Sequence, residues 1–170
     1  MAASQRYFGK YRGTVFNNVD PMQIGRVQVS VPDVTGLTPS SWAMPCVPFA
    51  GKQSGMFVVP QVGAGVWVEF EGGDSSYPIW VGGFWGSVAE MPVMAIASVP
   101  ASPSIVLQTG GGNMLVISDL PGPTGGLMLK TAGGAMLQIS DVGITLSNSQ
   151  ASITMTGPTI ALNGEALTVT

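Results

Sequence analysis

Between Ile105 and Val169 the apolar residues recur as i, i+2 pairs: Ile105/Leu107, Leu115/Ile117, Leu127/Leu129, Leu137/Ile139, Ile144/Leu146, Ile153/Met155, Ile160/Leu162 and Leu167/Val169. Period two is the signature of strands with one apolar face, and Gly-rich or polar segments between the pairs (GGGN, PGPTGG, AGGA, DVG, NSQAS, TGP, NGEA) supply the turns. A ladder with two inward side chains per step, in a segment 93–170 that lacks aromatic residues, is too thin to close a core within one chain. Three copies wound about a common axis would supply the missing walls and also pair the strand edges; the alternatives are a single-chain β-solenoid, which repeats of only 7 to 12 residues disfavour, and a flexible apolar tail. The expected core of that trimer is Leu115, Ile117, Leu127, Leu129, Leu137, Ile139, Ile144, Leu146, Ile153, Met155, Ile160 and Leu162. Successive pairs start 10, 12, 10, 7, 9, 7 and 7 residues apart, so the shaft tapers. The residue between each pair drifts from Val106, Val116 and Met128 to Gln138, Thr145, Thr154, Ala161 and Thr168, as expected of an outer, solvent-facing surface.

Residues 1–92 follow another plan, for they hold all four Trp and all three Tyr. GRVQVSVPDV sets Val27, Val29 and Val31 inward against Arg26, Gln28 and Ser30. GVWVEFEGGD sets Val66, Val68 and Phe70 inward against Trp67, Glu69 and Glu71, with Gly72-Gly73-Asp74 turning the chain. With KYRGTVFNN, WAMPCVPF, GMFVVP and YPIWVGGFWG, five or six short strands fit the scale of a small Greek-key barrel such as an OB-fold. Between the two parts, Met91–Ser104 contains three prolines and predicts an extended linker that no helix crosses. The expected organisation is therefore all-β: barrel 1–92, linker 93–104, trimeric β-helix 105–170.

Several chemistries are disfavoured. Six Lys+Arg against nine Asp+Glu leave no basic footprint for nucleic acid. Without histidine, the usual triads and zinc sites lose a member. MAASQRYFGKYRG has no apolar core of signal-peptide length, and the expectation is a protein made in the cytoplasm. Cys46 in WAMPCVPF is expected to be a buried small apolar side chain. Glu69 and Glu71 read as a solvated edge rather than an acid/base pair, and Trp42, Trp67, Trp80 and Trp85 as core and interface rather than a base-stacking platform. The glycine clusters at 110–112, 125–126 and 133–134 lack the Lys-Ser/Thr of a phosphate loop. Asp119 and Asp141 recur in ISD and read as turn caps, with a cation on a three-fold axis as the alternative. No cofactor or metal is expected.

FGKYRGTVFNNVDPMQIGRVQVSVPDV, SSWAMPCVPFAG and above all the run from Pro60 to Asp74, PQVGAGVWVEFEGGD, resemble the phage baseplate assembly protein V family. These are central-spike proteins of contractile tails, related to the valine-glycine repeat proteins of type VI secretion. The resemblance implies an OB-like barrel under a tail hub and a three-chain needle driven into a target envelope when the sheath contracts. It also implies a homotrimer located in the baseplate of a virion or injection particle, and a PAAR-repeat protein as its tip. Some relatives carry a muramidase domain where only Met91–Ser104 stands here, so a non-enzymatic chain is expected; other relatives fuse the hub to the barrel, whereas only about six residues precede the first strand here, so a separate hub protein is expected. Leu167, Val169 and Thr170 would form a blunt end for a cap. The alternative is an OB-type binding module with a trimerising tail.

Overall fold

The computed structural model describes residues 5–97, 102, 104–164 and 166–169, and the chain divides into two compact units, Met1–Ser87 and Val88–Thr170.

The first unit is built from β1 (Tyr11–Asn17), β2 (Val27–Ser30), the helical turn α1 (Pro32–Thr35), β3 (Pro39–Pro45), the two-residue strands β4 (Ala50–Gly51) and β5 (Ser54–Gly55), β6 (Gly65–Phe70) and β7 (Pro78–Phe84). Five strands close a barrel in the order β1-β2-β3-β7-β6. Neighbours are antiparallel except the parallel pair β3 and β7, which is the OB arrangement. β4 and β5 form a hairpin of their own. A bulge at Val81 lets Trp67 oppose Gly82 while Val68 opposes Trp80, the kind of extra residue that bends a strand enough to close a barrel.

Alternation sorts the side chains as the sequence predicts. Val15, Val27, Val29, Val31, Ala43, Val66, Val68, Phe70 and Trp80 form one buried cluster, with Phe70 tilted against Tyr7 and Tyr11 at 5.9 and 5.6 Å. β-branched valines suit this place because they fill space close to a pleated backbone with little χ1 freedom to lose. Trp80 is anchored as well as buried, its indole N–H donating to Gly25 O at 3.1 Å.

Cys46 corrects the sequence reading: it is exposed. Ala43 is the inward residue of β3, so alternation carried on past Pro45 turns Cys46 to the outer side with Met44. Its backbone N–H still donates to Trp80 O at 2.9 Å.

The second unit holds α2 (Val93–Ala97), β8 (Ile105–Gln108), β9 (Met114–Ser118), β10 (Gly126–Lys130), β11 (Met136–Ser140), β12 (Gly143–Ser147), β13 (Ser152–Thr156), β14 (Thr159–Leu162) and β15 (Leu167–Val169). The helical turn departs from the extended linker expected there. Pro92 sits ahead of the first turn, where its missing N–H costs nothing, and its carbonyl accepts from Ala95 and Ile96 at 2.9 and 3.2 Å. The eight strands make one antiparallel meander, β8 through β15 in chain order. Each interior strand pairs with its two sequence neighbours, so this ladder is completed by hairpins of the same chain, whereas the sequence reading assigned edge pairing to the copies.

Candidate functional site

Registers in the meander place the paired apolar residues in two columns on one face. The first column runs Ile105, Ile117, Leu127, Ile139, Ile144, Met155, Ile160, and the second Leu107, Leu115, Leu129, Leu137, Leu146, Ile153, Leu162, Leu167, each residue directly opposite the next on the adjacent strand. The chain leaves much of this face uncovered. Leu127, Leu129, Ile139, Leu146, Ile153, Met155 and Ile160 are between 38 and 52% exposed, while Leu115, Ile117, Leu137, Ile144 and Leu162 are half-buried. All twelve residues assigned to a trimer core from sequence thus share one face of one sheet. Of the three assigned to a tip, Leu167 is 55% exposed; the side chain of Val169 and the whole of Thr170 lie outside the described residues.

The opposite face differs from its expected solvent-facing role. Val116 is buried, 4% exposed, and Val106, Met128, Gln138, Thr145, Thr154 and Ala161 are half-buried. In a five-residue strand the central side chain is flanked on its own face by positions one and five, whereas the two apolar columns have only each other. The central column is therefore better shielded although the apolar columns are more hydrophobic. The loop after β9 adds cover, for the Gln138 side-chain amide donates to Gly125 O at 2.7 Å.

Polar clamps along the sheet margins were not foreseen from sequence. On one margin the TGGGN and TAGGA loops take the same form: Thr109 and Thr131 N–H donate to Asn113 O and Ala135 O at 2.9 and 2.8 Å. Asn113 Oδ1 then accepts from Ala132 N–H at 3.1 Å, Ser149 Oγ donates to Gly133 O at 3.3 Å, and Asn163 Oδ1 accepts from Ser152 N–H at 2.9 Å. Successive hairpins are thereby tied to one another. The shared Thr-x-Gly-Gly core of two five-residue turns was the signal that could have revealed this. On the other margin Asp141 accepts from Gly122 N–H at 3.4 Å, a contact that links two turns. Gly126 has φ +79°, and a Cβ there would collide with Ile139 O; the strands approach too closely for any other residue.

In the barrel the sequence reading also missed Asp20. Its buried carboxylate accepts from Arg26 Nη2 and Nε at 2.7 and 3.0 Å and from the N–H groups of Met22, Ile24 and Arg26. The guanidinium first, then those N–H groups, hold its pKa well below the usual carboxylate range. Arg26 in turn lies over Trp42, 5.5 Å from the ring centroid. Asp74 is lowered by hydrogen bonds from Ser76, which fixes the turn after β6. These carboxylates organise loops. Glu69, on the outer face, pairs with Lys10 at 2.6 Å. The indoles do not share one open surface: Trp80 is buried, Trp67 is half-buried beneath Arg12, and Trp85 is 59% exposed. Among the described residues no group of three or more His, Cys, Asp or Glu is placed to hold a metal ion, and no helix is long and apolar enough to cross a membrane.

Comparison with known families agrees with this division. Residues 11–85 match the type VI secretion system/phage-baseplate injector OB domain, and residues 104–168 match the phage baseplate V C-terminal trimerisation domain. No curated protein matches the chain.

Proposed function

Because the chain belongs to the phage baseplate assembly protein V family, and is thus a homotrimer-forming structural component of an injection baseplate, we propose that it is the central spike that pierces the target envelope when the sheath contracts. The observation that carries this reading is the two-column apolar face, which the chain itself leaves open. Three such faces turned inward give a dry shaft, with the twelve residues from Leu115 to Leu162 as its core. Covering each large apolar side chain contributes about 1.5–3 kcal/mol. A shaft of this kind carries axial load through close packing and a continuous hydrogen-bonded ladder, and needs no reactive group. The barrel attaches to a separate hub protein, the end around Leu167, Val169 and Thr170 receives a PAAR-type tip, and contact with the envelope is transient. The chain acts mechanically and not as a hydrolase.

Particles assembled with a chain truncated after Pro92 should contract but no longer admit a membrane-impermeant dye into target cells. Undiminished dye entry would overturn the puncturing role. Tight retention of single-stranded DNA by the intact protein at physiological salt, in a filter-binding assay, would point instead to a binding module.

A further inference from the structure

The two apolar columns differ in side-chain shape. Counting Val169 opposite Ile160, five of the eight first-column residues are isoleucine and seven of the eight second-column residues are leucine. A meander reverses direction at every turn, so uniform columns require the order within each pair to invert from strand to strand. The sequence does this: Ile105-Val-Leu107 is followed by Leu115-Val-Ile117, and Leu137-Gln-Ile139 by Ile144-Thr-Leu146. Hydrophobicity alone does not ask for it, since isoleucine and leucine bury similar area and either order leaves the same face apolar. What differs is geometry: isoleucine is branched at Cβ and stiff at χ1, whereas leucine branches one carbon further out and reaches further from the strand.

A three-fold axis gives such a difference a use. Contacts around a ring are heterologous, one edge of a subunit's face meeting the opposite edge of the next. Two chemically distinct columns on the two sides of one face suit that arrangement. Resting on the homotrimer reading, we infer that the leucine column of each copy packs against the isoleucine column of its neighbour, all the way around the shaft. The alternation of Ile-x-Leu with Leu-x-Ile is then the part of the sequence that sets the rotational pairing of the copies. Leu127 and Ile153 are the two residues that carry the other column's side chain, Met155 is the unbranched exception and Val169 keeps the Cβ branch of the first column; the first three mark the steps where the pairing is least specific.

Single-cysteine variants L137C and I139C, made in a C46S background because Cys46 is exposed, test the pairing. The two variants are unfolded, mixed, refolded together, oxidised, and resolved under denaturing, non-reducing conditions. The expected result is a disulfide-linked dimer from the mixture and little from either variant alone. A single variant that cross-links to itself as fully as the mixture does, or a mixture that stays uncross-linked while trimeric, overturns the column pairing. Native mass spectrometry of the reduced variants separates the two levels: a reduced trimer with like-to-like disulfides defeats only the pairing, whereas a reduced wild-type chain that is monomeric defeats the trimer reading and the pairing with it. L146C and I144C, one strand further on, repeat the measurement should substitution on β11 unfold the sheet.

Discussion

The barrel and the meander are both all-β and both rich in aliphatic residues, yet they solve the burial problem in opposite ways. The barrel curls its sheet until β1 meets β6, and its inward valines at 27, 29, 31, 66 and 68 reach 0% exposure within one chain. The meander stays open between β15 and β8, and its leucines and isoleucines remain about half exposed. Closure of the backbone ladder and closure of the core are thus separate problems. Aromatic rings and bulges let about eighty residues close both; a sheet of short strands without aromatics pairs its interior strands within the chain, keeps β8 and β15 as edges and leaves the core to other copies.

The sharpest way to break the contrast is a charge on the open face. Leu137→Asp should abolish the trimer while leaving the barrel folded, because assembly would bury carboxylates without partners. Sedimentation would show loss of the trimer, and circular dichroism would show the barrel's transition retained. Phe70→Ala does the reverse: it should cost the barrel about 3–5 kcal/mol without changing the stoichiometry, seen as a lower barrel denaturation midpoint that does not depend on protein concentration. Gly126→Ala forces a left-handed backbone at about 1–2 kcal/mol in addition to its collision with Ile139 O, and should lower the melting temperature of the meander alone.

A pH series sharpens the comparison further. The folded pKa of Asp20 is depressed, so its contribution is complete above the ordinary aspartate value of about 3.9 and drains away as pH falls through the folded value. The barrel transition should therefore weaken on acidification below about pH 4, and Asp20→Asn should lower its stability at neutral pH and flatten that slope. The smallest effect belongs to Cys46→Ser, which should change stability by less than about 0.5 kcal/mol, while the wild-type thiol is labelled by a maleimide in the folded protein.

Much of the fold was legible because period-two alternation is a local signal with a direct structural meaning. It placed the inward valines of β2 and the inward residues of β6, and it put all twelve proposed core residues on one face. It failed where an element ended or where a contact was distant. Cys46 was misplaced because its apolar neighbours do not reveal the strand's phase, which sets Ala43 inward and Cys46 outward, and Val93–Ala97 turns helically because Pro92 precedes the turn rather than interrupting it. Val116 is covered for a reason that needs strand length and neighbours, not its own hydrophobicity. Asp20 and Arg26 stand six residues apart in a loop, without periodicity to announce that the loop folds back on its own carboxylate. The clamps from Asn113, Ser149 and Asn163 join hairpins that are separate in sequence.

Sedimentation velocity of the intact protein at micromolar concentration, read together with hydrogen exchange over residues 105–167, addresses the dependence of the meander on its copies most directly. The expected species has three times the 17.5 kDa chain mass, and protection across β9 to β14 is lost when dilution separates the copies. A monomer whose 105–167 amides stay protected would contradict it.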